Sequence, residues 1–318
     1  MSRIILAILD GFGLNTINPA ENAIIQANAP TFKMLFEKPF TKLDASWLAV
    51  GIPEWQMGNS EVGHMTIGAG RSVLQGTMRI DASLTDESFR KLPEYEKSFD
   101  HIQKTKGSLH IFTLFGPGGV HASEVHLGKT LKIIPTNTQV FLHLFTDGRD
   151  LPPLSALWIL NDFQKNTLSQ YPNVKIASLA GRYYAMDRDN NYTRIEWVYN
   201  TIIGNTPVVS KSAEEIIEWN YKDGKTDEFI NPTLIQKNGY VKSGDAIWFL
   251  NFRSDRARML TEAFCETEFT HFTRKPLENI YFVSMVPYYQ DYTGDSFFHD
   301  TNLTDTLWEV LSQTGIKQ

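Results

Sequence analysis

Four apolar runs, each long enough for one strand and each closed by glycine, asparagine or aspartate, recur along the middle of the chain. Ser108-Leu109-His110-Ile111-Phe112-Thr113-Leu114-Phe115 leads into Gly116-Pro117-Gly118-Gly119-Val120-His121. Gln139-Val140-Phe141-Leu142-His143-Leu144-Phe145-Thr146 leads into Asp147-Gly148-Arg149-Asp150. Val174-Lys175-Ile176-Ala177-Ser178-Leu179-Ala180 leads into Gly181-Arg182, and Asp245-Ala246-Ile247-Trp248-Phe249-Leu250 into Asn251-Phe252-Arg253. Runs with so few interruptions fit strands covered on both faces. Helix-like stretches lie between or beyond them, at Leu154 to Gln170, Tyr192 to Ile203 and Asp255 to Cys265. The alternation predicts an α/β fold, a parallel sheet with crossover helices on both faces. A further run, Arg3-Ile4-Ile5-Leu6-Ala7-Ile8-Leu9, reads as a buried strand that ends at Asp10-Gly11-Phe12-Gly13.

Ligands of parallel sheets bind beyond the carboxyl ends of the strands, so the residues just past each run matter most. Three of the runs are followed closely by arginine: Arg149, Arg182 and Arg253, with Arg188 and Arg256 close behind and His121 after the first run. Guanidinium forks gathered at one mouth suit a phosphate or a carboxylate. A single arginine there reads as a surface ion pair, but a set at equivalent positions does not. Asp150 adds an acid that the surrounding positive charge should keep ionised, able to take a proton or simply to neutralise Arg149.

Ser60 stands in Gly58-Asn59-Ser60-Glu61-Val62-Gly63-His64, a hydroxyl among small residues with an acid and an imidazole following. It fits a nucleophile on a turn, activated by a base or a metal, and equally an Asn-Ser loop that caps a helix. Asp10, at the end of the first run, is a plausible hard ligand for a divalent cation that the serine oxygen could share, or an ordinary Asp-Gly turn.

Composition removes several classes. The chain has 318 residues, of which 42% are hydrophobic and 21% charged, a balance that supports a packed core rather than disorder. A net charge of −6 with dispersed basic residues gives no electrostatic case for nucleic acid. One cysteine, Cys265, excludes an internal disulfide and fits core packing in a reducing compartment. No apolar run approaches membrane-spanning length, and the first lacks a cleavage pattern, so the expectation is a cytoplasmic protein that engages no membrane.

Longer strings carry a resemblance. Ile8-Leu9-Asp10-Gly11-Phe12-Gly13, Gln56-Met57-Gly58-Asn59-Ser60-Glu61-Val62-Gly63-His64 with Ile67-Gly68-Ala69-Gly70-Arg71, Gly118-Gly119-Val120-His121 and Asp147-Gly148-Arg149-Asp150-Leu151-Pro152-Pro153 follow one another in this order. Gly181-Arg182-Tyr183-Tyr184-Ala185-Met186-Asp187-Arg188-Asp189 and Asn251-Phe252-Arg253-Ser254-Asp255-Arg256-Ala257 complete the set. Together they resemble the cofactor-independent phosphoglycerate mutases, metal-dependent members of the alkaline phosphatase superfamily. The resemblance implies interconversion of 3-phosphoglycerate and 2-phosphoglycerate through a phosphoserine, with two divalent ions, usually manganese. It implies Ser60 as nucleophile and metal ligand, Asp10 as ligand of the same ion, and Asp150 as proton shuttle. His121, Arg149, Asp150, Arg182, Arg188, Arg253 and Arg256 would bind substrate, in a monomer.

The family also implies two α/β domains: residues 1–74 of a phosphatase-like domain, an inserted transferase domain over 75–300, and a return into the first domain over 301–318. The family's later metal ligands, including an Asp-His-Gly string, have no counterpart here; Asp100-His101 reads as part of a surface helix, and His271 and His299 lack the context. The phosphatase-like part is therefore expected to be truncated and the metal site incomplete, leaving the chain alone with little activity. Asn302 to Gln313 reads as an amphipathic helix capped by Thr304 or Asn302, with Leu303, Leu307, Trp308 and Leu311 on one side and Gly315 ending it. Trp47, Trp55, Pro117 and the pair Ala122-Ser123 depart from the family pattern. Two alternatives stand beside the mutase reading: a phosphoglycerate-binding module without turnover, and another metal-dependent phosphomonoesterase or phosphomutase of the superfamily.

Overall fold

The computed structural model describes residues 5–10, 12, 18–53, 58, 60–74, 76–275, 277–299 and 303–317, apart from the Glu61 side chain. Arg3, Ile4, Gly11, Gly13, Trp55, Gln56, Met57, Asn59, Gln75, Asp300 and Asn302 therefore lie outside the described residues. The chain separates into two compact units, Met1–Gln75 with Leu303–Gln318, and Gly76–Asn302.

The larger unit is built on one seven-stranded sheet. In chain order the strands are β1 (Leu109–Phe115), β2 (Val140–Thr146), β3 (Val174–Gly181), β4 (Thr233–Leu234), β5 (Ala246–Phe249), β6 (Tyr281–Ser284) and β7 (Asp295–Ser296). They stand in the order β4-β3-β2-β1-β5-β6-β7, parallel throughout except for β4, which pairs antiparallel with β3. The four expected middle strands are all present, within one or two residues of their anticipated ends.

Alternation within the strands divides the core in two. Leu109, Ile111 and Phe115 of β1 pack with Ile80, Leu127, Ile159, Phe163 and Ile216 on one face of the sheet. Phe112 and Leu114 pack with Ile195, Tyr199, Leu260 and Phe264 on the other. Among the described residues no strand intervenes between the first three α-helices, α1 (Ala23–Gln26), α2 (Pro30–Phe36) and α3 (Ser60–Ala69); the larger unit then supplies α4 (Gly76–Thr85), α5 (Pro93–Thr105), α6 (Glu124–Ile133), α7 (Ala156–Asn166), α8 (Arg182–Ala185), α9 (Tyr192–Ile202), α10 (Ala213–Lys222) and α11 (Arg258–Cys265). Asp100-His101 lies in α5, as expected. Cys265 ends α11 and packs against the second core cluster, where burial raises its thiol pKa.

One residue interrupts the ladder between β2 and β3. Leu142 pairs with Ile176, yet His143 pairs with Ser178, leaving Ala177 as an extra residue. The bulge brings the Ser178 hydroxyl within 2.7 Å of His143 Nδ1. His143 Nε2 lies 2.9 Å from His110 Nδ1, and His110 Nε2 lies 3.1 Å from Asp245 Oδ2. Both imidazoles are fully buried. Asp245 also accepts from the Ser108 and Lys242 amides. One proton order satisfies every atom with neutral rings: Ser178 O–H to His143, His143 Nε2–H to His110, His110 Nε2–H to Asp245. Burial holds the pKa of both histidines below the ordinary value, which agrees with that order.

The expected strand over residues 3–9 is not formed by its described part. Ile5, Leu6 and Leu9 are 89%, 64% and 53% exposed, and residues 5–9 are irregular. A strand needs a ladder partner, and among the described residues every strand belongs to the larger unit. The apolar run therefore signals a demand for burial that no pairing edge meets. Among the described residues the smaller unit's buried apolar cluster is Val50, Ile52 and Val62. The terminal helix, α12 (Leu307–Gln313), starts later than expected and is capped by Thr306 instead of Thr304 or Asn302. Thr306 Oγ1 accepts from the Glu309 amide while the Glu309 carboxylate accepts from the Thr306 amide, and this reciprocal pair fixes the start. Leu303 thus precedes the helix, and Gly315, at φ +75°, follows its end.

Candidate active site

Chain direction across the sheet reverses at β1: β2 and β3 are added on one side, β5 and β6 on the other. The crevice beyond the carboxyl ends of β1 and β5 is thus a topological switch point. The loops that leave these two strands are tied together there, since the Phe252 amide donates to the His121 carbonyl at 2.8 Å. Asn251 Oδ1 accepts from the Leu114 amide, fixing the end of β5 against β1.

The residues expected from the strand ends do meet at this edge. Arg182, at the start of α8, has a side chain only 2% exposed and donates through Nη1 to Asp147 Oδ1 at 2.7 Å and to Asp150 Oδ2 at 2.6 Å. Burial raises the Asp150 pKa, but the Arg182 guanidinium outweighs it and holds the carboxyl below the usual range. His121 Nε2 lies 3.9 Å from Asp150, and its Nδ1 lies 3.4 Å from Asp255 Oδ1. Burial, then the nearby Arg182 charge, depress the His121 pKa to about 4, so the ring is neutral at pH 7.

Asp255 also faces Arg253 Nε at 3.2 Å and Arg188 Nη1 at 3.4 Å. Arg149, about half exposed, turns to Glu228 at 3.4 Å. Arg256 donates to the Met186 carbonyl at 3.1 Å. Among the described residues it has no carboxylate within ion-pair distance. Burial and the positive charges of Arg182, Arg188 and Arg149 lower its pKa. Five guanidinium groups thus gather here, four of them facing carboxylates that offset their mutual repulsion.

Loop geometry supports these positions. The Asp147 carboxylate accepts from the Arg149 and Asp150 amides, closing the turn that presents both residues. Gly148 sits at φ +67°, and a Cβ there would fall 2.6 Å from the Glu228 amide nitrogen. Asp227 caps α7 across the fold, accepting from the Ser155 and Ala156 amides at 2.7 and 2.8 Å. Asp187 accepts from the Asp189 and Asn191 amides and from Arg194, which orders the loop that carries Arg188. Ser123, one of the departures from the family pattern, caps α6 by accepting from the Val125 amide.

The sequence strings contained Asp147 and Asp255 without marking them. Asp147-Gly148 is a recognisable Asx-turn signal, whereas nothing in the spacing of Asp255 shows that it would lie among three cationic or imidazole side chains.

In the smaller unit, Ser60 is the first residue of α3 and so stands at a helix start rather than on a free turn. Its hydroxyl donates to Asp10 Oδ2 at 2.8 Å. His64 Nδ1, one turn on, lies 2.9 Å from the Ser60 carbonyl and 3.2 Å from its hydroxyl. A proton on Nδ1 serves the carbonyl, leaving Asp10 as the acceptor for the hydroxyl. Asp10 and Ser60 present two hard oxygens side by side, which fit one edge of a divalent ion's shell. Such ions take four or more donors, and among the described residues no three His, Cys, Asp or Glu side chains are grouped to hold one. These residues do not complete a metal site by themselves. Trp47, close in sequence to this region, is half exposed.

Comparison with known proteins agrees with this architecture. The profile of the BPG-independent PGAM N-terminus family matches residues 80–290. The 2,3-bisphosphoglycerate-independent phosphoglycerate mutase of Legionella pneumophila strain Philadelphia 1 is 44% identical over 320 residues, covering 99% of this chain and 62% of that protein. The corresponding protein of Clostridium tetani is 43% identical over 326 residues, with the same coverage of 99% and 62%. Phosphoglycerate mutase of Leishmania mexicana, solved at low cobalt concentration, superposes with a TM-score of 0.78 at 26% identity, covering 97% of this chain and 59% of that one. The chain spans about three fifths of the length of these relatives. The matched stretch contains the whole strand-end arginine cluster, and the chain belongs to the BPG-independent phosphoglycerate mutase family.

Proposed function

We propose that this chain carries the substrate-binding domain of a phosphoglycerate mutase, in the unit Gly76–Asn302, together with the nucleophile-bearing part of a phosphatase-like domain. The observation that carries the reading is the switch-point crevice, where Arg182, Arg188, Arg253 and Arg256 gather and Arg256 has no carboxylate partner among the described residues. A phosphoglycerate offers two anionic ends to such a set, and guanidinium forks grip both by paired hydrogen bonds. Asp150, ionised beside Arg182, and neutral His121 then face the glycerate hydroxyls.

In the proposed reaction the Ser60 oxygen gives up its proton and attacks phosphorus, an Oγ–P bond forms, the ester bond to glycerate breaks, and the leaving oxygen takes up a proton in place of the one the serine lost. Return of the phosphoryl group to the other hydroxyl reverses these bonds: Asp150 receives the proton that hydroxyl gives up, the Ser60 oxygen regains a proton as the Oγ–P bond breaks, and loss of the proton from Asp150 closes the cycle. Divalent ions, manganese first, would lower the serine pKa, with Asp10 and Ser60 as two of the ligands. The relatives' names support the mutase chemistry; a monomer in the cytoplasm belongs to the same proposal, and among the described residues no helix is long and apolar enough to cross a membrane.

The two-donor arrangement at Ser60 favours a second reading, in which the chain alone binds phosphoglycerate without turning it over. Calorimetry with 3-phosphoglycerate tests the shared premise. Arg256→Ala should weaken binding about ten- to a hundredfold, the range for losing a charged hydrogen bond. Equal binding by both proteins refutes the site. Turnover by the purified chain with manganese separates the readings: activity supports the mutase, and binding without activity supports the silent module.

A further inference from the structure

Two kinds of carboxylate serve the arginine cluster, and they are held very differently. Asp147 and Asp150 are anchored, with buried Arg182 at 2.6–2.7 Å and, for Asp147, two backbone amides in addition. Asp255 is not. Its contacts with Arg253, Arg188 and His121 are all 3.2–3.4 Å, and Arg188 and Arg253 are about half exposed. Asp255 Oδ2 accepts one long hydrogen bond, from Arg188 Nη1 at 3.4 Å, while Oδ1 is shut off from solvent and accepts none, and the buried Nδ1 of His121 that faces it has no hydrogen-bond partner either. A carboxylate left this poorly satisfied is easily exchanged.

We infer that Asp255 is an internal counter-anion, seated against Arg188 and Arg253 while the crevice is empty and expelled by the anionic group of the ligand. The inference rests on the reading of the crevice as a phosphoglycerate site. Two effects compete. Asp255 pre-orders the two arginines, but exposed ion pairs at these separations hold side chains weakly. Against that, a carboxylate at contact distance from an incoming anion repels it in a partly desolvated site. Competition outweighs ordering, so the residue lowers affinity and, by returning to its seat, speeds release of the bound anion. Asp255 lies in the 3-10 turn Ser254–Arg256, so its departure also shifts the turn that holds Arg256.

The test compares the whole chain with Asp255→Asn and Asp255→Ser by calorimetry with 3-phosphoglycerate and, separately, inorganic phosphate, with thermal melting to check folding. An anion that can bind only when Asp255 has left loses affinity by the fraction of time the seat is free. Both variants should therefore bind both ligands about tenfold more tightly. General damage to the fold cannot produce that direction of change. Wild-type binding of 3-phosphoglycerate with unchanged or weaker binding by the variants overturns the counter-anion and leaves the crevice reading intact. Loss of the melting transition in both variants assigns Asp255 to the fold and also overturns it. If no protein binds either ligand, the crevice reading fails and this inference falls with it.

Discussion

Acid should unfold this protein through its buried imidazoles well before its carboxylates are protonated. His110 and His143 are neutral by geometry and have lowered pKa values, and burial also depresses His121 and His126 to about 4. In the unfolded chain each titrates near about pH 6.5, so below that value the unfolded state binds protons that the folded state refuses. Stability contributed by these groups is full above the unfolded value and declines as pH falls, by about 1.4 kcal/mol per pH unit for each group. From about pH 7.5 to about pH 5 His121 and His126 each forfeit about 2 kcal/mol, and His110 and His143 add to the loss in the same direction. Glu124 acts in the opposite sense: burial and then Asp162 push its pKa up to about 7, so the folded state takes a proton in this window and regains about 2 kcal/mol. His121 and His126 together, less Glu124, leave a net loss of about 2 kcal/mol to which the two fully buried rings add, a sizeable fraction of the stability of many domains. Asp150, Asp187 and Asp245 have lowered pKa values and lose their contribution only at lower pH, outside this window. Lys242 is the further charge that acts on His110, and it reinforces the neutral form. Urea unfolding followed by near-ultraviolet circular dichroism at several pH values measures the slope. His143→Gln should lower stability at neutral pH but shrink the acid loss. A wild-type stability that is flat across the window would show that the folded rings accept protons, and the neutral relay would be wrong.

The other two predictions concern the crevice. Arg182→Met leaves Asp147 buried without its cation, which should cost about 3–5 kcal/mol and abolish 3-phosphoglycerate binding; a melting temperature within a few degrees of wild type would contradict the anchoring role. Gly148→Ala meets both a left-handed backbone and the Glu228 amide; it should destabilise by more than about 1 kcal/mol and weaken ligand binding by shifting Asp150, whereas unchanged calorimetry would show that the loop adapts.

How much of this was legible beforehand varied with the kind of interaction involved. The strands at 109, 140, 174 and 246 were readable because an unbroken apolar run satisfies both covered faces of a parallel sheet, whatever its neighbours. The arginines could be placed at one edge because parallel strands all end on the same side. Residues 5–9 carried the same apolar signal and form no strand, since sequence shows the wish for burial and not the presence of a pairing edge. The start of α12 depended on a two-way bond between Thr306 and Glu309, which outweighed the earlier candidate caps. Asp255, Asp227 and the His110–His143 contact were invisible for a common reason. Each joins segments far apart in the chain, and no local pattern announces a partner 33 or 72 residues away.

The single unpaired residue of β3 has an outcome for anyone who edits this gene. Deleting Ala177 would make the two strands match step for step, and on paper the ladder would look improved. Val174 and Ile176 would keep to one layer and Ser178 and Ala180 to the other, because Ile176 and Ser178 would then alternate as neighbours in a regular strand do; with Ala177 present, only the bulge holds these even-numbered residues on opposite layers. An apparent irregularity is thus what lets one strand obey the packing at its beginning and deliver its guanidinium at its end.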